Sequence, residues 1–239
     1  MPNNATMVIA GDVKSTDARR LVEKYFAWIP RAPEPARPQY KMPPPLTAQV
    51  TVASTDDVKV PRVYLAWRGP AAFTAGEPAL DLAAEVLGGG KTSRLYKRLV
   101  YREKIAQDVT ARLRGEEIGG EFEIVATAKP GVEPQRLIDE ITEEIAALAA
   151  HDPEPAELER AQAGHEADFL YGLESPLRRA IQLAAYDVQA HDPDYFVKDV
   201  ARYRAVTAPQ IKEAAARYLA PSTRVVLTIS PGKKPQETP

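Results

Sequence analysis

Seven of the 16 residues from Pro30 to Pro45, PRAPEPARPQYKMPPP, are proline. Proline fixes φ at about −65° and removes a backbone donor, so neither a helix nor an interior strand runs through such a stretch. The composition predicts an extended, semi-rigid linker. It separates a short N-terminal piece from the rest of the 239-residue chain. That piece offers TMVIAGDV (Thr6–Val13), which reads as a buried strand, and TDARRLVEKYFAWI, a helix with Leu21, Val22, Tyr25, Phe26 and Ile29 on one stripe. One strand and one helix are too little to fold alone.

Beyond the linker, AQVTVAS and PRVYLAWRG have the alternation of strands. EPALDLAAEVLG is a helix ended by Gly88, and SRLYKRLVYRE is a second helix with Ser93 placed to cap it. IAQDVTARLRG and GEFEIVATAKPG form a hairpin across EEIGG. Residues 133–219 are helical in pattern. Asp152-Pro153, Ser175-Pro176 and Asp192-Pro193 each put a capping side chain before a first-turn proline. Thr207 and Gln210 have capping-box spacing, and TRVVLTIS is a closing strand. This order predicts an α+β domain with a mostly antiparallel sheet covered by helices. There is also an internal echo: MPNNATMVIAGDV and APSTRVVLTISPG share a proline, a short polar turn and an apolar strand. The second copy follows the helix IKEAAARYL, so the first is expected to follow a helix too, placing the start of this sequence inside a larger protein.

Net charge is −2, which gives no basic surplus for nucleic acid or an acidic membrane. The absence of cysteine removes disulfides and thiolate metal sites. No run of about 18 apolar residues is present. The compartment stays open between bacterial periplasm and cytoplasm.

The stretch VLGGGKTSRLYKRL resembles a phosphate cradle at Gly88, Gly89, Gly90, Lys91 and Thr92. Its spacing fails, because the place five residues before the last glycine is Glu85, and the stretch follows a helix where the motif follows a strand. The plainer reading is a helix–helix corner. HEADF begins like a zincin helix at His165-Glu166, but Phe169 stands where the second ligand belongs. Leu158, Ala161, His165 and Phe169 share a helical face, which predicts a packed, partly buried His165. His151 and His191 precede Asp-Pro turns and read as solvated. No serine sits in a nucleophile elbow.

LGGGKTSRLYKRLVYREKIAQDV, PNNATMVIAGDV, LVEKYFAWIPR and YRAVTAPQIKEAAARYLAPSTRVVLTISP together resemble the insulinase/pitrilysin family of zinc metallopeptidases, in order and over nearly the whole chain. In that family two homologous α+β domains form a half, and two halves enclose a chamber for peptide substrates. The resemblance implies that residues 1–31 are the last strand and helix of a preceding homologous domain, 32–46 the linker, and 47–239 the second, non-zinc-binding domain. It implies no cofactor in this chain, with zinc in the preceding domain. The implied partners are that domain, a second half of the same family and a peptide, with no nucleic acid and no membrane. The family also supplies an arginine and a tyrosine that face the zinc, and these places fall on Val100 and Gln107, so neither side chain is kept. Arg102 and Tyr101 are in the wrong register.

A glycine-rich loop of processing-peptidase relatives touches the incoming peptide, which makes Gly88, Gly89 and Gly90 candidate substrate contacts. The implied function is chamber wall and hinge of a zinc metalloendopeptidase, inactive alone. The alternative is a non-catalytic subunit or scaffold of the same family, like a processing-peptidase or complex III core subunit. A small-molecule or nucleotide-binding module is disfavoured by the corner spacing. Millimolar ATP is therefore expected to leave the melting temperature unchanged, whereas binding at a hundredfold excess over Kd would add about 2.7 kcal/mol. A rise abolished by Lys91→Ala would restore the nucleotide reading.

Overall fold

The computed structural model describes residues 2–33, 35–36, 40 and 42–232. It divides into two compact units, Met1–Met42 with Glu166–Val200, and Pro43–His165 with Ala201–Pro239. The larger unit is built on five strands: β1 (Val50–Asp56), β2 (Arg62–Gly69), β3 (Ala106–Gly115), β4 (Gly120–Ala128) and β5 (Arg224–Pro231). Their order is β1-β5-β2-β4-β3. Only the β1–β5 pair is parallel; the other three are antiparallel. The expected α+β architecture is what the chain adopts.

Alternation in the sequence becomes burial. Val63, Leu65 and Trp67 of β2 and Phe122, Ile124 and Ala126 of β4 are all buried. Trp67 stands opposite Phe122 in the ladder, and their rings meet edge-on with centroids 6.0 Å apart. Trp67 Nε1 donates to the Ala220 carbonyl at 3.0 Å, so the indole leaves no buried donor unpaired. The covering helices are α2 (Glu77–Gly88), α3 (Pro134–Ala150) and α7 (Ala208–Tyr218). Leu137, Ile138, Ile141, Ile145 and Leu148 give α3 a buried stripe at helical spacing. Thr207 and Gln210 form the expected capping box on α7, with the Thr207 N–H donating to Gln210 Oε1 at 2.8 Å.

The segment SRLYKRLVYRE differs from expectation. Residues Tyr96–Arg102 wind as a π-helix, one residue wider per turn, with Glu103 N–H donating to Arg98 O. Leu95 and Leu99 still reach the core. The Ser93 hydroxyl turns back to donate to the Gly90 carbonyl at 2.7 Å. Arg94 makes a bidentate pair with Glu157 (2.9 and 2.6 Å), and Arg98 engages Glu140, Glu143 and Glu144.

In the smaller unit, α1 (Ser15–Phe26) forms as expected. Thr6–Val13 is not a strand: it is irregular backbone with no ladder partner among the described residues. A strand exists only through its neighbours, and all the ladders among the described residues join β1–β5. Met7, Ile9 and Val13 are consequently 54, 48 and 53 % exposed. Leu21, Tyr25 and Phe26 of α1 are exposed as well. Thr6 Oγ1 donates to Asp187 Oδ2 at 2.6 Å. The rest of this unit comes from α4 (Pro155–Glu174), α5 (Pro176–Ala185) and α6 (Phe196–Arg204), with α4 and α6 extending into both units. Ser175 caps α5 as predicted, whereas α4 starts at Pro155, two residues past the proline expected to open it. Asp152 instead pairs with Lys212 at 2.6 Å. Fully buried Tyr186 donates to Asp199 Oδ2 at 2.6 Å and meets Phe196 edge-on at 4.9 Å. The described residues of the Pro30–Pro45 linker carry no helix or strand. The remainder of that linker lies outside the described residues.

Burial pushes the Glu157 carboxyl pKa up, but Arg94 and the Glu154 N–H outweigh it and hold the pKa below its ordinary value. A depressed carboxyl pKa contributes stability above the unfolded value, and this is lost as pH falls through the folded one. Arg94→Ala should cost about 2–3 kcal/mol at pH 7 in urea unfolding. The gap to wild type should shrink below about pH 4. A gap that stays constant to pH 3 would show that the pair contributes packing alone.

Candidate functional site

The three candidate glycines run from the last residue of α2, Gly88, toward the π-helical turn, and each is there for a different physical reason. Gly88 is buried, and a Cβ at this position would stand 2.3 Å from the backbone nitrogen of Ala111 on β3. It allows helix and sheet to touch. A Cβ on Gly89 would meet Glu85 Oε2 at 2.1 Å and the Glu85 carbonyl at 2.7 Å. Gly90 has φ +85°, open space around its α-carbon and solvent exposure. Lys91 and Thr92 beside it are also exposed.

This geometry also bears on the phosphate resemblance. A phosphate cradle needs free amides pointing inward. Here Gly89 N–H donates to Glu85 O at 2.9 Å, Gly90 N–H to Gly88 O at 3.0 Å and Ser93 N–H to Gly90 O at 3.2 Å. Three amides of the loop are engaged internally, and the Glu85 carboxylate lies against it.

Val100 and Gln107 lie on either side of a change in register. Val100 belongs to the π-helix and packs against the core. Gln107 is exposed and is the extra residue of a β-bulge, since Ala106 faces Ala128 while Asp108 faces Thr127. Tyr101 is exposed and packs edge-on against Tyr96 at 5.3 Å. Neither Val100 nor Gln107 provides a cationic or phenolic donor.

The histidines do not converge. His165 is packed as expected: its ring stacks on Tyr203 with centroids 3.5 Å apart, and Nδ1 lies 3.8 Å from Asp81 Oδ2. Tyr203 donates to the same Asp81 oxygen at 3.0 Å. His151 and His191 are exposed, and His191 takes a left-handed φ of 54° at the end of a π-turn. Among the described residues no three His, Asp or Glu side chains are grouped to hold a metal. This donor set does not fit a zinc ion, so no chemistry here is routed through one. No helix among the described residues is long and apolar enough to cross a membrane.

Nothing in the sequence pattern marked the π-winding or the bulge at Gln107. The run Leu95–Leu99 looks the same in an α- or π-turn.

Gly88→Ala should destabilise the chain by about 2–3 kcal/mol, because helix and strand must part. Gly90→Ala should cost only about 1 kcal/mol, the penalty for a left-handed φ. Urea unfolding with unchanged m-values would measure both, and a neutral Gly88→Ala would contradict the close-approach reading.

With that geometry in place, comparison with known proteins gives a consistent answer. The family model described as "Peptidase M16 inactive domain" matches residues 1–164. "Zinc protease PqqE" of Helicobacter pylori is 31% identical over 193 residues, covering 79% of this chain and 43% of that protein. A solved protease from Helicobacter pylori superposes with a TM-score of 0.83 at 25% identity, over 93% of this chain and 54% of that one. A peptidase M16 inactive domain from Pseudomonas fluorescens superposes with a TM-score of 0.78 over 95% of this chain and 54% of that one; at 20% identity this likeness speaks for the fold alone. The chain spans about half the length of these relatives. Family model and relative agree with the insulinase/pitrilysin likeness of the sequence: this chain belongs to the M16 peptidase family and carries its inactive domain.

Proposed function

We propose that this chain is the non-catalytic second domain of one half of a zinc metalloendopeptidase, forming chamber wall and hinge for peptide substrates. Residues 1–31 supply the last strand and helix of a preceding, zinc-bearing homologous domain, 32–46 form the linker, and 47–239 the second domain. A second half of the same family closes the chamber.

The observation that carries this reading is a repeated piece of structure. The 3₁₀ turn Pro221–Thr223 leads into β5, which pairs on both sides. The 3₁₀ turn Pro2–Asn4 leads into Thr6–Val13, which has the same kind of sequence and no ladder partner among the described residues. The two copies differ in whether a sheet is available. Met7, Ile9, Val13, Leu21, Val22 and Phe26 line a groove of about 540 Å³. Full burial of one such side chain contributes about 1.5–3 kcal/mol. The homologous domain is the occupant whose sheet would accept the strand and whose core would take the stripe.

The peptide-facing part of the glycine corner is Gly90 with Lys91 and Thr92, the exposed end of it. Gly88 and Gly89 hold that end in place. Val100 offers no side-chain donor to a developing oxyanion and Gln107 only a neutral amide in place of a phenol, and loss of one such donor costs roughly 10² to 10³ in rate in other hydrolases. The chain then acts through chamber shape and closure.

The isolated chain should not cleave unstructured peptides, while the longer protein that includes the preceding domain should do so in a chelator-sensitive way. Chelator-sensitive cleavage by the pure chain would overturn the non-catalytic assignment. A longer protein that is correctly folded and inert would favour the scaffold reading instead. In an active longer protein, Lys91→Glu should raise KM several-fold with little change in kcat. Gly89→Val is unsuited to this test because its side chain would collide with the Glu85 carbonyl.

A further inference from the structure

Arg224 opens β5 and is only 6% exposed. Its Nε donates to Gln49 Oε1 at 2.7 Å and its Nη1 to Thr142 Oγ1 at 2.8 Å. Both acceptors are neutral. Among the described residues no carboxylate lies within ion-pair distance of the guanidinium, and Nη2 donates no hydrogen bond. Burial lowers the pKa of Arg224; the charge of Asp139 acts in the opposite direction without restoring it. A buried cation lacking an anion is a costly arrangement, and it is relieved when an anion arrives.

Arg224 lines a cavity of about 380 Å³ with Ile145, Ala146 and Ala216. The last turn of α3 borders the same space through Ala149 and Ala150, and Leu219 and Ala220 border it just past the end of α7. Ligand sites commonly measure about 300–1,000 Å³ and combine apolar walls with a few polar groups. Alanine walls leave room for a side chain from outside. The final carbonyls of a helix have no partner further along it and accept hydrogen bonds from incoming N–H groups.

We propose that this cavity binds the C-terminal end of a peptide, with the terminal carboxylate on Arg224 and an apolar last side chain against the alanine wall. A guanidinium matches a carboxylate with two parallel donors. The helix-end carbonyls accept from peptide N–H groups, which a plain hydrocarbon acid does not possess.

The test titrates N-acetyl-leucine, N-acetyl-leucinamide and hexanoate into the full chain and follows the backbone amide NMR signals of Ala146, Ala149 and Ala216. N-acetyl-leucine should give saturable shifts, with the amide and hexanoate binding about tenfold or more weakly, as expected for a charge-assisted hydrogen bond and for the lost N–H contact respectively. Arg224→Gln should erase the difference between acid and amide. Ala146→Trp, on the exposed wall, leaves Arg224 in place and should block binding with the melting temperature unchanged. Equal binding of acid and amide, hexanoate binding as tightly as N-acetyl-leucine, or intact binding in Ala146→Trp would each overturn the proposal.

Discussion

Backbone amides and carbonyls must find partners, and a strand finds them only in another strand. That constraint governs both units of this chain. In the larger unit β5 lies between β1 and β2, so its amides and carbonyls are taken up on both edges, and the register sets Trp67 against Phe122. Helices α2, α3 and α7 then cover the buried face. In the smaller unit Thr6–Val13 has the apolar sequence of a strand and no ladder partner among the described residues, and its side chains remain half exposed next to an exposed helical stripe. Under the proposed reading, this segment belongs to a sheet in another domain.

Much of the larger unit was legible because its signals are local. Proline spacing, alternating apolar residues and the Thr207–Gln210 box each act within a few residues. The hairpin β3–β4 could be read from EEIGG between two alternating runs. What escaped depends on long-range partners. Whether Thr6–Val13 is a strand is decided by a neighbour, which its own residues do not encode. The π-winding of Tyr96–Arg102 and the bulge at Gln107 each add a residue without changing the apolar pattern, so Leu95 and Leu99 look alike in either geometry. Of the candidate site, the corner itself was visible in the sequence. The distinct reasons for Gly88, Gly89 and Gly90 needed the position of Ala111 and Glu85.

The corner also illustrates how a motif and its likeness differ. Three glycines, a lysine and a threonine can build an anion nest when their amides are free. Here the Gly89 amide bonds back to Glu85 of α2, those of Gly90 and Ser93 bond to the glycine corner itself, and Gly88 serves helix–sheet contact. What remains outward is a short exposed edge at Gly90, Lys91 and Thr92.

The central claim is that Thr6–Val13 is a strand waiting for a sheet. Hydrogen exchange of the amides from Thr6 to Val13 tests it most directly, measured in this chain alone and in the longer protein with its preceding domain. The account predicts exchange near the unprotected rate in the isolated chain and protection by at least about a hundredfold, or roughly 2.7 kcal/mol, in the longer protein. Equally fast exchange in both would contradict it.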